Sequence, residues 1–358
     1  MTIDLRNLTQ QQLIEFCRTI GLPDYRGRQI FAWLYRRHVC SFDQMTDLPK
    51  DLRQKLAELA RIGTLAIAEV KTSRDGTRKF AFRLDDGLLV ESVLIPEGDR
   101  QTLCISSQAG CTMGCRFCMT GCGGFRRNLA AAEIVGQVIA IADLLDSEHA
   151  PALSNLVFMG MGEPLANFTN LLAALDILID QRGLDFSERR VTVSTCGIVP
   201  KMAELGRATR VNLAVSLHAA DDATRSLLMP VNTTWPLAEL MEACRTFPKP
   251  RRKRIMMEYI LIRGINDAPE HAGKLAKLLR GVPCKINLLR YNPIPSLPFE
   301  GPDQETVDRF QDILWKAGYT VIVRNSRGGD IDAACGQLAG QLSGLAENDE
   351  EFPGDPPG

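Results

Sequence analysis

The spacing of apolar and polar positions changes twice along the chain, and the changes predict three regions. Up to about residue 60, apolar residues recur at helical spacing in NLTQQQLIEFCRTIG, RGRQIFAWLYRRHV and LPKDLRQKLAELA. The spacing then becomes strand-like in TLAIAEVKTS, RKFAFRLDDG and LLVESVLIP, with a hairpin turn at Asp75-Gly76. We therefore predict a small N-terminal helical module at 1–62 and a β-hairpin linker at 63–96.

After residue 96, candidate strands and amphipathic helices alternate. The strands are LCISS, NLVFMG, VTVST, NLAVSLH, RIMMEYILI and KINLLR, separated by stretches such as AAEIVGQVIAIADLL. This order implies a parallel sheet, either doubly wound or curled into a barrel. We predict an α/β fold in which residues 97–345 form a partial (β/α)6 barrel. The acidic, Pro/Gly-rich end at 346–358 is expected to be a disordered tail.

Polar and glycine residues follow most of the predicted strands. In barrels of this kind, chemistry is located in the loops after the carboxyl ends of the strands. The segments, in the order of the first, second, third, fourth and sixth strands, are Cys111–Cys118, Gly160–Pro164, Ser194–Gly197, Ser216–His218 and Tyr291–Pro293. All of them are predicted to meet on one face, so we expect the functional site there.

The first of these segments contains the motif Cys111-x-x-x-Cys115-x-x-Cys118. Thiolates this close together converge on one soft metal centre. A closed zinc site needs four ligands, with Cys104 or Cys122 as the fourth, and a chance grouping of cysteines is a further alternative. Three cysteines can instead hold a [4Fe–4S] cluster and leave one iron open for a substrate, which is the interpretation we favour.

The other polar residues at the strand ends each have an ordinary structural explanation beside the functional one. GMGEP lacks the third glycine of a dinucleotide-binding loop, so it is either a plain βα turn or a strand end that lies along a ligand. His218 suits a hydrogen-bonded structural residue as well as a ligand or a base. Serine and asparagine form turns but also provide polar contacts to a cofactor, and those concerned are Ser194, Ser216 and Asn292.

Three residues away from these loops are also candidates. Glu91 lies in the apolar run LLVESVLIP, so it either faces solvent on an edge strand or is buried near substrate as a general base. Cys335, in RGGDIDAACGQLAG, is typical of a small buried residue, although the preceding glycines give it a backbone that can move. Cys104 has the same core explanation, on a strand that leads towards the metal motif.

Composition narrows the class of protein. The 358 residues are 45% hydrophobic and 24% charged, as in a folded protein, and no uncharged apolar run approaches the length of a membrane span. Eleven cysteines without a secretory signal fit reduced thiols, so we expect a cytoplasmic protein. The net charge of −1 gives no argument for nucleic acid. Local basic clusters near Arg26–Arg37 and at 249–254 are either solvated surface or phosphate-binding.

Taken together, these motifs resemble the RlmN/Cfr family of radical S-adenosylmethionine (SAM) RNA methyltransferases. The resemblance extends from the N-terminal module to about Leu345 and includes RGRQIFAWLY, TLCISSQAGCTMGCRFCMTG, FMGMGEPL, RVTVSTCGIVP, CKINLLRYNP and RGGDIDAACGQLAG. It implies one [4Fe–4S] cluster on Cys111, Cys115 and Cys118. It also implies SAM, two molecules per turnover, bound by Gly162, Glu163, Ser194, Ser216, Leu217, His218 and Asn292.

The resemblance further implies methylation of adenosine C2 in 23S rRNA, in a protein-poor or assembling form, and in tRNA next to the anticodon. Cys335 would take a methyl group from one SAM, and a radical formed from a second SAM would activate that methyl group for addition to C2. Glu91 would remove the C2 proton, and Cys104 would release the product while forming a disulfide with Cys335. The implied partners are RNA and an electron donor such as flavodoxin. The enzyme is expected to be a monomer that does not associate with a membrane.

Other interpretations stay open from the sequence. The C8-specific branch of the same family would share this residue set. A radical SAM activase is a second class of enzyme, and a methylthiotransferase would need another group of cluster-binding cysteines, which the scattered remaining ones do not form. A non-enzymatic iron–sulfur or zinc RNA-binding protein would leave Cys104 and Cys335 unexplained. The roles of Cys122 and Cys196 are also open.

Overall fold

The computed structural model describes residues 2–250 and 253–340 of the chain. The expected disordered tail at 346–358 lies outside the described residues, as do 341–345 at the end of the predicted barrel region. Residues 251 and 252 of the basic segment at 249–254 also lie outside them.

The N-terminal module contains three helices, as the apolar spacing predicts. They are α1 (Gln10–Thr19), α2 (Asp24–Arg36) and α3 (Lys50–Leu59), and a short parallel pair, β1 (Ile3–Asp4) and β2 (Ala60–Arg61), brings the ends of the module together. Helix α1 begins after Thr9, whose hydroxyl accepts the Gln12 N–H in a capping box. The buried side chains of the module continue the main hydrophobic core. The module therefore packs directly on the rest of the protein.

The strand-like region forms an antiparallel meander of β3 (Ala66–Thr72), β4 (Arg78–Arg83) and β5 (Leu89–Glu97). The hairpin between β3 and β4 turns at Asp75-Gly76, as predicted. Gly76 has φ +83°, and the Asp75 carboxylate accepts the Thr77 N–H. Strand β5 pairs antiparallel with the first strand of the barrel, so the meander continues the barrel sheet.

Seven parallel strands form the barrel sheet, in the order of the chain. They are β6 (Arg100–Cys104), β9 (Leu153–Phe158), β10 (Val191–Thr195), β11 (Asn212–Ser216), β12 (Ile255–Leu261), β13 (Cys284–Arg290) and β14 (Val321–Arg324). The first six are the predicted strands, so the partial (β/α)6 architecture is confirmed. The seventh strand, β14, adds an edge that the sequence pattern did not predict.

Between the first two barrel strands lie a small antiparallel pair, β7 (Gln108–Gly110) and β8 (Phe125–Asn128), and the single-turn helix α4 (Met119–Cys122). The longer helices cover the sheet, as right-handed crossovers between parallel strands require. They are α5 (Ala131–Ser147), α6 (Phe168–Ile179), α7 (Val199–Ala208), α8 (Asp222–Leu228), α9 (Leu237–Thr246), α10 (Pro269–Leu278) and α11 (Gln304–Lys316). Within the described ranges, none of the helices has the length and apolarity needed to cross a membrane.

Candidate active site

One cavity at the carboxyl ends of the barrel strands brings most of the predicted site residues together. Those that line it are Cys111, Cys115, Cys118, Gly162, Glu163, Ser194, Ser216, His218 and Cys335. The remaining predicted residues, which are not part of its lining, are Glu91, Cys104, Leu217 and Asn292. The agreement between predicted strand ends and cavity lining identifies this face as the candidate active site.

The three motif cysteines lie on the loop between β7 and α4. Gly121 of this helix packs on the backbone of Cys115, where a Cβ atom would approach N and O to 2.9 Å, so the loop requires a glycine there. Burial raises the pKa of Cys111 to about 12 and that of Cys115 well above its ordinary value. Metal coordination reverses such a shift because it stabilises the thiolate.

The donor set fits an iron–sulfur cluster better than a single ion. In the described part of the chain, no three His, Cys, Asp or Glu side chains converge closely enough to hold one metal ion. A [4Fe–4S] cluster binds each thiolate through a different iron, so its cysteines lie further apart than the ligands of a zinc ion. The Cys122 thiol points to the backbone carbonyls of Cys115 and Arg116.

The GMGEP segment brings a glycine and a buried carboxylate to the cavity wall. Gly162 has φ +97°, and a Cβ atom there would lie 2.4 Å from the Cβ of Gln108, so no other residue fits. Glu163 is 4% exposed, and its carboxylate accepts the N–H of Leu165 at 3.0 Å and the N–H of Cys196 at 2.8 Å. The Cys196 thiol also donates to it at 3.0 Å. Burial raises the pKa of Glu163, whereas these hydrogen bonds lower it. Cys196 therefore positions Glu163.

His218 is both a hydrogen-bonded structural residue and part of the cavity lining. Its Nδ1 accepts the Ile260 N–H at 3.1 Å, and burial lowers its pKa to about 3. The neutral ring therefore carries its proton on Nε2. The ring of Phe117 packs edge-on against it, with centroids 5.0 Å apart, which fixes its orientation.

A buried arginine that the sequence analysis missed joins the ends of β10 and β11. Arg225 is 1% exposed and donates to the carbonyl oxygens of Cys196 (2.6 Å), Leu217 (3.2 Å) and Ser216 (3.3 Å). It therefore holds the two strand ends that bear predicted SAM ligands. In the sequence it looks like a surface residue of a short helix, so no pattern indicated its role.

Two predicted ligands lie beside the cavity without lining it. Leu217 is fully buried, and its N–H donates to the carbonyl of Glu258 at 2.9 Å. Asn292 follows β13 and is half-buried.

Cys335 lies on the segment after β14 and is exposed to the cavity. Removal of water by the surrounding protein raises the pKa of its thiol to about 11, and the charges of Glu258 and Cys118 add to the shift. Cys104, at the end of β6, is 8% exposed and near enough to Cys335 for their charges to interact. All eleven cysteines are free thiols in this structure.

Glu91 is buried, which excludes the solvent-facing alternative. It is 1% exposed, and Lys79 lies 3.1 Å from its Oε1. Its Oε2 accepts the N–H groups of Ala339 (2.8 Å) and Gly340 (2.9 Å). The same lysine donates to the carbonyl of Asp332 at 3.0 Å. The Glu91–Lys79 pair therefore holds the segment that carries Cys335 from both of its ends.

The cavity lining also includes a carboxylate that the sequence analysis did not single out, and an amide behind it donates to it. Glu258 of β12 lines the cavity, and Asn287 of β13 donates to its Oε1 at 3.0 Å. A lone acidic residue in the apolar run RIMMEYILI was the available signal, of the same kind that indicated Glu91.

Comparison with known proteins identifies the family of this chain. A sequence model of the ribosomal RNA large subunit methyltransferase N-terminal domain matches residues 3–62, and that of the radical SAM superfamily matches 105–276. The dual-specificity RNA methyltransferase RlmN of Desulfotalea psychrophila is 55% identical, covering 94% of this chain and 95% of the relative. That of Geobacter sulfurreducens is 52% identical, covering 96% and 94%.

A crystal structure of a radical SAM methyltransferase from Sphaerobacter thermophilus superposes with a TM-score of 0.89. It is 44% identical, and the match covers 95% of this chain and 100% of the other. Radical SAM enzymes use a [4Fe–4S] cluster and SAM, and RlmN enzymes use two SAM molecules per turnover, which confirms the expected cofactors. The chain belongs to the RlmN family of RNA methyltransferases within the radical SAM superfamily.

Proposed function

We propose that this enzyme methylates C2 of adenosine in 23S rRNA and in tRNA next to the anticodon, with Cys335 as the methyl carrier. The observation that carries the proposal is the position of Cys335. It lines the same cavity as the three cluster cysteines, and Cys104 lies close to it. A carrier thiol needs both the metal centre and a second thiol within reach, and this arrangement supplies them.

Cys111, Cys115 and Cys118 would hold the cluster. The residues that would bind SAM are Gly162, Glu163, Ser194, Ser216, Leu217, His218 and Asn292. The cluster and SAM together supply the one-electron chemistry that removes a hydrogen atom from an unreactive methyl group. Adenine C2 is an electron-poor sp2 carbon, so simple displacement of a methyl group from a sulfonium is not available to it. The low reactivity of C2 therefore explains why the methyl group would first be transferred to a protein-bound carrier.

The chain's own residues account for the remaining steps. The Cys335 sulfur takes a methyl group from a SAM sulfonium, and the activated carbon on Cys335 bonds to C2 of the adenine. Glu91 takes the C2 proton. Cys104 then attacks the Cys335 sulfur, and the bond from that sulfur to the carbon breaks. The carbon keeps the electron pair and takes up a proton, which completes the new methyl group on the base. A Cys104–Cys335 disulfide remains for an external thiol to reduce. Because Glu91 Oε2 accepts two N–H groups of the Cys335 segment, that segment has to shift before Glu91 can act as a base.

The N-terminal module is the proposed RNA contact. Tyr25 is 51% exposed and Arg26 lies over its ring, an arrangement suited to stacking on an unpaired base. Arg36 and Arg37, at the opposite end of α2, are exposed and suit phosphate contacts. The target adenine must leave its stack to enter the cavity. With these RNA substrates, we expect the reaction to occur in the cytoplasm. We also expect a low-potential electron donor such as flavodoxin, and a monomeric enzyme.

The test uses anaerobically reconstituted protein with SAM, a reductant and unmodified 23S rRNA fragments or tRNA. Mass spectrometry of the digested nucleosides compares the wild type with Cys335→Ala. We expect 2-methyladenosine from the wild type and none from the variant. A product of 8-methyladenosine would contradict the C2 assignment, and methylation by Cys335→Ala would contradict the carrier role.

A further inference from the structure

The proposed reaction leaves one buried carboxylate in the cavity unused. Glu258 lies in the middle of β12, is 8% exposed and lines the cavity together with Cys335. The two other buried glutamates of the site, Glu91 and Glu163, have different positions and partners. Glu91 does not line the cavity, and Glu163 is hydrogen bonded to Leu165 and Cys196 in the loops after β9 and β10.

Glu258 belongs to a polar row that crosses three neighbouring strands. Ser216 of β11 pairs with Glu258, and Glu258 pairs with Asn287 of β13. The Asn287 amide N–H donates to Glu258 Oε1 at 3.0 Å, and its Oδ1 is buried and has no hydrogen-bond partner within residues 2–250 and 253–340. Three polar side chains side by side in a barrel interior are costly unless a ligand or a reaction uses them.

No cation neutralises this carboxylate at ion-pair distance among the residues that the structure describes. Arg324 at the end of β14 acts on it only at longer range. The other titratable groups that line the same cavity are Cys335, His218, Glu163, Cys196 and the three motif cysteines. Burial raises the pKa of Glu258 to about 7. It can therefore both hold and release a proton near neutral pH, as a general base requires.

Cys335 needs such an acceptor. An ordinary cysteine thiol is mostly protonated at neutral pH, and Cys335 is a free thiol in the cavity lining, whereas the attacking species in a methyl transfer is the thiolate. Loss of its proton to bulk water would place a second negative charge in the cavity beside Glu258. Transfer of the proton to Glu258 moves the one charge that is already there from oxygen to sulfur.

We propose that Glu258 is the catalytic base that accepts the thiol proton of Cys335 when Cys335 takes its methyl group. An O–H bond forms on Glu258 as the S–H bond breaks, and the electron pair stays on the Cys335 sulfur. That sulfur bonds to the methyl carbon, and the methyl–sulfonium bond breaks with its pair going to the departing thioether. The inference rests on the proposed function, since it assigns a base to the first step of that reaction.

The first measurement follows methylation of Cys335 itself, without RNA. Reconstituted wild type, Glu258→Gln and Glu258→Asp receive saturating methyl-labelled SAM, and peptide mass spectrometry measures label on Cys335 over time. Loss of a general base predicts that Glu258→Gln is slower by about 100-fold or more, with Glu258→Asp between the two. Glu305→Gln, on the exposed face of α11, is the control and should match the wild type.

The second measurement needs neither the cluster nor SAM. Iodoacetamide alkylates Cys335 in the unreconstituted protein across pH 6–10, and peptide mass spectrometry gives the rate. Removal of the negative charge of Glu258 lowers the pKa of the Cys335 thiol, so Glu258→Gln should be alkylated several-fold faster at alkaline pH. A merely structural role of Glu258 would not make alkylation of Cys335 faster and its methylation slower in the same variant.

The outcomes separate the two proposals. Equal methylation of Cys335 in the wild type and Glu258→Gln at saturating SAM would overturn the role of Glu258, as would a rise in the KM for SAM with an unchanged maximal rate. Unchanged alkylation in Glu258→Gln would show that the two groups do not interact and would also overturn it. If the wild type takes no label on Cys335, the proposed function itself fails. Glu258→Asp keeps the test decisive if Glu258→Gln does not fold.

Discussion

Two buried glutamates near Cys335 differ in how completely the protein satisfies them. Glu91 has Lys79 beside one carboxylate oxygen and two backbone N–H groups on the other. Among the described residues, the Glu258 carboxylate has one hydrogen bond, from Asn287, whose own side-chain oxygen is unpartnered. A fully satisfied buried charge stabilises the arrangement around it, whereas an under-satisfied one costs stability.

The difference indicates separate tasks for the two residues. The hydrogen bonds of Glu91 hold the Cys335 segment in place, so Glu91 can accept a proton only when that segment moves. Glu258 faces the cavity with its proton affinity already shifted towards neutral pH, so it is ready to exchange a proton with Cys335. Replacing each by glutamine, which keeps the shape and removes the charge, should therefore have opposite effects on stability.

The larger effect is expected for Glu91→Gln. The substitution leaves Lys79 buried without its counter-charge, and breaking a buried ion pair in this way costs about 3 kcal/mol or more. Urea unfolding at neutral pH measures the loss. Glu97→Gln, at the exposed end of the same strand, is the matched control and should change the free energy of unfolding by less than about 0.5 kcal/mol. Equal stability of the two variants would contradict the role of the Glu91–Lys79 pair.

A smaller change of the opposite sign is expected for Glu258→Gln. The folded state raises the pKa of Glu258 from 4.5 to about 7, so the charged form destabilises the fold above pH 7. That penalty falls between pH 7 and 4.5 and vanishes below, where both states hold the proton. Glutamine carries no such penalty, so the variant should gain up to about 3 kcal/mol at pH 8.

Urea unfolding of wild type and Glu258→Gln at several pH values tests this prediction. The difference in free energy of unfolding should shrink steadily as the pH falls from 7 to 4.5. A difference that does not depend on pH, or a destabilised variant at pH 8, would contradict the account of Glu258.

The sequence predicted the barrel well because its inner strands are continuous apolar runs bounded by turn residues. Strand β14 was missed because it has four residues, three of them at least partly exposed, so it lacks the apolar run of a buried strand. Strand ends located most of the cavity lining, since parallel strands place their carboxyl ends on one face. That rule does not depend on side-chain contacts, which a sequence does not display.

The residues that the pattern missed act through such contacts. Arg225 hydrogen bonds to carbonyl oxygens of two strand ends that are distant in sequence, and Lys79 meets Glu91 across neighbouring strands. The proximity of Cys104 and Cys335 was implied by the family resemblance and not by their spacing, because 231 positions separate them in the sequence. These residues meet only in the folded protein, so spacing along the sequence does not predict the pairs.

The most direct test of the central claim is to trap the bond between Cys335 and RNA. In the proposed reaction Cys104 releases the product, so Cys104→Ala incubated with SAM, reductant and RNA should accumulate protein covalently joined to RNA through Cys335. A denaturing gel and mass spectrometry of the digested adduct detect it, and the double variant with Cys335→Ala should form none. Release of methylated adenosine by Cys104→Ala at the wild-type rate, without an adduct, would contradict the account.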